Sequence, residues 1–192
     1  MIRTFLAFDI SEEVQKNLGI LIETIRPQSK EVKWFEPGNF HVTSKFFGNT
    51  EENQLGPIGS LIEKELVGFK TVRLKCVGIG CFPKWQYPKV IWAGLQGETQ
   101  GLIDLQKKLE ESFVPLGFPK ENREFKLHLT LGRVRIQPKS DGWVKTLEGL
   151  NEKLFGETVV DHLTLYKSEL TKKGPIYTAL REFRCRTFAQ TP

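Results

Sequence analysis

The chain has 192 residues, enough for one large domain or two small lobes around a real core. Hydrophobic residues make up 39%, charged residues 27% and aromatics 11%, which excludes a collagen-like or disordered chain. The 28 basic side chains against 23 acidic ones leave a net charge of +5, a modest excess that suits an anionic substrate such as a nucleotide or RNA.

Three cysteines, Cys76, Cys81 and Cys185, cannot form a disulfide framework and match no zinc spacing, so they read as free thiols of a reducing compartment. No apolar run approaches the roughly 20 residues that cross a bilayer. The opening segment, Met1–Val14, lacks the long apolar stretch and small-residue cleavage site of a signal peptide. The expectation is a cytoplasmic protein with no membrane partner, monomeric by default.

Strands and helices alternate along the chain. Thr4–Asp9 reads as a strand, and Ser11 as the N-cap of a helix whose stripe is Val14, Leu18, Leu21 and Ile25. Val32–Phe35 is short and extended, Glu36–Asn39 a turn, and Phe40–Phe47 a strand. A second helix opens at Thr50 or Asn53, with an irregular start expected from Gly56, Pro57 and Gly59. Val72–Phe82 and Lys89–Leu95 read as strands, Glu98–Phe113 as a helix, Phe125–Ile136 as a strand and Gly142–Phe155 as a helix. Val159–Tyr166 and Ile176–Cys185 close the chain as a long hairpin around Thr171–Pro175.

One weak internal repeat stands out. Phe40–Gly48 (FHVTSKFFG) and Leu127–Val134 (LHLTLGRV) share the order apolar-His-apolar-Thr, and in each half a helix and two strands follow. The reading is a segmented α+β fold of two similar lobes. Residues i and i+2 of a strand share a face, so His41 lies with Thr43 and His128 with Thr130. Two such strands related by a pseudo-twofold aim four polar side chains into one cleft. That set suits phosphoryl chemistry: a histidine pair supplies a general base and a general acid, and threonine hydroxyls donate to phosphate oxygens. No metal or cofactor is needed, and no acidic cluster flanks either motif. His162 also stands in a His-x-Thr triplet but has no counterpart in the first half, and reads as structural.

At these residues the chain resembles the two-histidine (2H) phosphoesterase superfamily, in particular the RNA 2′,3′-cyclic phosphodiesterases historically called 2′-5′ RNA ligases. The resemblance is carried in order by IRTFLAFDISEEV, VKWFEPGNFHVTSKFFGNT, CFPKWQYPKVIWAGL, FKLHLTLGRV and LTLYKSELTKKGPIYTAL. It implies residues 1–192 as one domain of two interleaved lobes. Two pseudo-symmetric, antiparallel-rich sheets would face a central groove, with helices on the outer faces. It also implies metal-independent opening of a 2′,3′-cyclic phosphate at an RNA end to a 2′-phosphomonoester, and 2′-5′ ligation as the reverse reaction. Carried over, the motifs supply His41 and Thr43, then His128 and Thr130, with His128 as base and His41 as acid; near-symmetry leaves the opposite assignment open.

Arg133, which follows the second motif as an arginine often does in that family, is a candidate phosphate ligand. Simple alternation puts it on the wrong face, so it needs a bulge, which Gly132 permits. Lys45 alternates onto the face of His41 and is a candidate RNA contact. So are Phe47, Trp85 and Tyr87, with Trp34, as rings on which a base can stack. One departure is Leu127, where the family often has proline. A phosphodiesterase of a small cyclic nucleotide or an ADP-ribose cyclic phosphate shares these residues, and a non-catalytic RNA-end-binding protein shares the fold.

Overall fold

The computed structural model of the chain describes residues 1–138, 142–171 and 174–185. In chain order the elements are β1 (Ile2–Phe8), α1 (Glu12–Ile25), β2 (Val32–Trp34), β3 (Val42–Thr50), α2 (Glu52–Glu65), β4 (Val72–Phe82) and β5 (Val90–Gly97). They continue with α3 (Gln100–Phe113), β6 (His128–Val134), α4 (Gly142–Glu148), β7 (Leu154–Val160), β8 (His162–Leu170) and β9 (Pro175–Arg184). The fold is α+β. Its strands form a four-stranded sheet, β3-β1-β8-β9, and a five-stranded sheet, β2-β6-β5-β4-β7, antiparallel throughout.

The halves of the sequence are not the halves of the fold. The first sheet takes β1 and β3 from the start and β8 and β9 from the end, whereas the second takes the strands between them together with β2. Helices α1 and α4 pack on β7 and β4 of the five-stranded sheet; α3 packs on β3 of the other, with α2 against α3. Ser11 caps α1 as expected, accepting from the Val14 amide. Its buried stripe is Val14, Leu18, Ile22 and Ile25, and each fully buried aliphatic of this kind is worth about 1.5–3 kcal/mol. No helix among the described residues is long and apolar enough to cross a membrane.

Three expectations are corrected by long-range contacts. Helix α2 starts regularly at Glu52, because Glu51 and Gln54 form a reciprocal capping box that satisfies the first amides, and Pro57 lies within it. The helix expected over Gly142–Phe155 stops at Glu148. Leu154 and Gly156 are taken up by pairing with Val77 and Cys76 of β4, and that pairing overrides their helical spacing. The single strand expected over Val159–Tyr166 is divided at Asp161, with β7 in one sheet and β8 in the other. Asp161 accepts from the Cys185 amide through its carbonyl and holds His162 Nδ1 at 2.5 Å through its carboxylate. β8 and β9 pair as the expected hairpin, and Lys172 and Lys173 of its turn lie outside the described residues.

Candidate active site

Each His-x-Thr motif sits on a strand that breaks its own alternation just after the threonine. In β3, Thr43 pairs with Ala7 and Lys45 with Leu6, which leaves Ser44 unmatched. In β6, Thr130 pairs with Trp92 and Gly132 with Ile91, which leaves Leu131 unmatched. One extra residue reverses every later side chain. Before the bulge, His41 and Thr43 are half-buried and Val42 is core; after it, Lys45 and Phe47 turn inward and Phe46 turns out. In β6, His128 and Thr130 are half-buried, Leu129, Leu131 and Gly132 are buried, and Arg133 emerges exposed.

The bulges decide which expected residues meet. His41, Thr43, His128, Thr130 and Arg133 all line one groove of about 310 Å³, so the bulge that Arg133 required is present. Lys45 also borders the groove, but as an RNA contact it is corrected: only 3% exposed, its ammonium donates to Glu110 Oε2 at 2.6 Å and to the Pro119 carbonyl at 2.5 Å, so its charge is consumed inside the protein. Phe47 is corrected as well, since its ring packs edge-on against Phe113 and Phe118 in the core. Trp34 is buried and donates its indole N–H to Ser29 Oγ. Trp85 is half-buried against the core, and Tyr87 is exposed with Lys84 over its ring; neither lines the groove.

Four side chains were missed. Phe46, 53% exposed, lines the groove where the alternation placed Lys45. Only the bulge reveals it. Tyr177, which crosses edge-on to the His41 ring at 5.2 Å, comes from β9, and its only sequence signal was the Gly-Pro-x-Tyr stretch. Arg123 and Lys126 line the groove from the irregular segment that leads into β6.

The two histidines sit in opposite electrostatic surroundings. Nδ1 of His128 lies 2.6 Å from the Lys126 carbonyl. A carbonyl oxygen only accepts, so Nδ1 carries the hydrogen and Nε2 keeps its lone pair. The Asn39 backbone, again two residues upstream, favours the protonated form of His41. Burial pushes His41 down to about 4 from 6.5, while the Asn39 bond and the Asp9 carboxylate pull the other way. His128 is also lowered, first by burial, with Arg133 and Lys126 adding to it against the Lys126 carbonyl bond. Both imidazoles are thus neutral at pH 7, one facing an anion and the other facing cations.

Behind His41 runs an aromatic and polar support. The His41 ring stacks on Phe5 at 4.7 Å, and Phe5 stacks on Tyr166. Asp9 accepts from Tyr166 Oη at 2.6 Å, Thr164 Oγ1 at 2.5 Å and His162 Nε2 at 3.1 Å. Burial alone raises the Asp9 carboxyl, but these hydrogen bonds outweigh it and hold it below its ordinary value. Among the described residues no cluster of three His, Cys, Asp or Glu side chains is arranged to hold a metal ion.

Comparison with known proteins points the same way. Residues 8–92 and 94–177 match the family described as LigT like Phosphoesterase. The chain is 34% identical over 183 residues to the RNA 2′,3′-cyclic phosphodiesterase of Methanothermobacter thermautotrophicus, across 95% of this chain and 98% of that one. It is 35% identical over 181 residues to the protein of the same name from Methanocaldococcus jannaschii, across 94% and 99%. A crystal structure of a Thermus thermophilus protein superposes with a TM-score of 0.81 at 28% identity, covering 97% of this chain and all of that one. Escherichia coli LigT, complexed with 3′-AMP, shares the fold with a TM-score of 0.79 at 20% identity, across 97% of this chain and 99% of that one.

Proposed function

Because this chain belongs to the LigT like Phosphoesterase family, we propose that it hydrolyses 2′,3′-cyclic phosphate ends of RNA to 2′-phosphomonoesters. The reading is carried by one observation: both His-x-Thr faces and Arg133 line a single groove. His128 acts as the general base. Its Nε2 lone pair takes a proton from water as the oxygen bonds to phosphorus. The 3′-oxygen leaves and receives a proton from His41, so the 3′-hydroxyl and the 2′-phosphate are formed together. Burial, with Arg133 and Lys126, keeps His128 unprotonated; His41, which burial lowers to about 4, takes up the proton it donates when the phosphate anion arrives, with Asp9 pulling the same way.

Thr43, Thr130 and Arg133 donate to the non-bridging oxygens, where charge develops. Phe46 and Tyr177 offer ring faces beside the groove for a base. A 5′-hydroxyl in place of water opens the same ring to a 2′-5′ linkage, which makes ligation a second outcome of the same constellation. These steps use side chains alone, without a metal. The three free thiols fit a cytoplasmic setting.

The test is turnover of an RNA oligomer ending in a 2′,3′-cyclic phosphate, in excess EDTA, with the product phosphate mapped. Loss of a general acid or base costs about 10²- to 10⁴-fold, so His41→Ala and His128→Ala should each fall by that much. A 3′-phosphate product, or an undiminished variant, would overturn the scheme. Turnover of mononucleotide cyclic phosphates alone would transfer the reading to a small cyclic nucleotide.

A further inference from the structure

The groove wall between α3 and β6 is an irregular stretch, residues 117–127, with few backbone hydrogen bonds of its own. It nevertheless performs two tasks at the site. It contributes Arg123 and Lys126 to the groove lining, and it supplies the Lys126 carbonyl that fixes the His128 imidazole. Such a stretch is held in place only where something grips it.

The grip is a buried polar knot. Lys45, turned inward by the bulge in β3, donates to the Pro119 carbonyl and to Glu110 Oε2. The same Glu110 oxygen accepts from the Glu121 amide at 3.0 Å, and Gln106 donates to the other carboxylate oxygen at 3.2 Å. Lys45 and Glu110 are almost wholly buried, at 3% and 6% exposure. A buried ion pair can be exchanged for apolar packing without loss of stability, so stability alone is a weak reason for this one. Its geometry supplies a stronger reason: it ties the strand of the first motif to the segment that enters the second.

We propose that Lys45 is a positioning residue, which through Glu110 pins residues 117–127 and thereby fixes the orientation and tautomer of His128. The kinetic part of this inference rests on the reaction proposed above; the structural part does not. The knot holds the segment whose Lys126 carbonyl His128 uses; the backbone group acting on His41 is that of Asn39, outside that segment.

The test is the double variant Lys45→Met with Glu110→Leu, which removes both charges together and leaves no unpaired ion in the core. A misplaced catalytic group costs up to about 100-fold, so kcat on the cyclic-phosphate RNA oligomer should fall by about 10- to 100-fold, with KM changing far less. ¹⁵N imidazole shifts should show His128 moving from the Nδ1–H tautomer to a mixture, while His41 keeps its own. A folded double variant with wild-type kcat and an unaltered His128 overturns the proposal. Should that variant fail to fold, Glu110→Gln carries the same test, since the neutral amide slackens the bonds to Lys45 and Glu121; an unaltered His128 there overturns it equally. If the wild type opens no cyclic phosphate, the reading of the reaction fails, and the His128 tautomer still decides the knot.

Discussion

A His-x-Thr opens both β3, with His41 just ahead of it, and β6; each strand has a one-residue bulge beyond the threonine, and they differ in what fills the two positions after it. At the inward position β3 has Lys45 and β6 has Gly132. The difference follows from what stands behind each strand. Lys45 meets the Glu110 carboxylate of α3, whereas a Cβ at Gly132 would lie 2.8 Å from both Trp34 and Val32 of β2. At the groove position β3 presents Phe46 and β6 presents Arg133. One backbone device, used twice, thus builds one wall that offers a ring and one that offers a cation. A symmetric frame can carry asymmetric chemistry, because the strand sets where a side chain points and its neighbours set which side chain is tolerated.

The sharpest way to break this comparison is at the cation. Removing a donor to a developing oxyanion costs about 10²- to 10³-fold in kcat, and Arg133→Ala should lose that much on a cyclic-phosphate oligomer. Unchanged kcat would mean that Arg133 reaches the groove without serving it. Next comes the space behind β6. Gly132→Ala forces Trp34 or Val32 to shift, and overpacking of this kind costs about 1–3 kcal/mol, read as a lower denaturation midpoint. A variant as stable as wild type would show that β2 yields easily and that glycine is not required there.

The opposite wall predicts a binding effect. Stacking of a base on an aromatic ring is worth about 1–3 kcal/mol, so Phe46→Ala should raise KM for the oligomer and spare kcat. The mirror result, a fall in kcat at constant KM, would place Phe46 with the chemistry. Phe47→Ala should instead act on stability, because that ring is in the core.

The smallest expected effect separates the supports behind the strands. His162 is raised to about 9 from 6.5, first by its hydrogen bond to Asp9, so the fold keeps a proton that the unfolded chain has lost. Its stabilisation is complete below 6.5 and disappears as pH rises through 9. His41, near 4, does the reverse: the unfolded chain binds a proton that the fold refuses, and stability falls as pH drops from 6.5 towards 4. Thermal melts over a pH series should show His162→Gln flattening the alkaline fall of Tm and His41→Gln flattening the acid fall. Parallel curves for either variant and wild type would remove that histidine from the account.

Much of the site was legible in the sequence, and the part that was not has a single cause. The repeated triplet and the two-residue period of a strand placed His41 with Thr43 and His128 with Thr130, because both are local rules. The cap at Ser11 and the run Val72–Phe82 were local too, and the structure carries both as read. Lys45 and Phe47 were misplaced and Phe46 was missed for one reason: the unmatched Ser44 inverts the alternation as far as Phe47, the second unmatched residue of the strand. The division of Val159–Tyr166 at Asp161 and the capture of Leu154 by β4 arise in the same way, from partners far along the chain.

The sequence by itself determined most of the elements and that two His-x-Thr faces come as a repeated pair. Tertiary structure alone decided the pairing register, and with it that Arg133 faces the groove, that the Lys45 ammonium is spent on Glu110 and Pro119, and that Tyr177 of β9 arrives beside His41. Periodicity is written in neighbouring residues. A bulge is set by a strand that pairs from elsewhere in the chain, so no window of sequence around it contains the information.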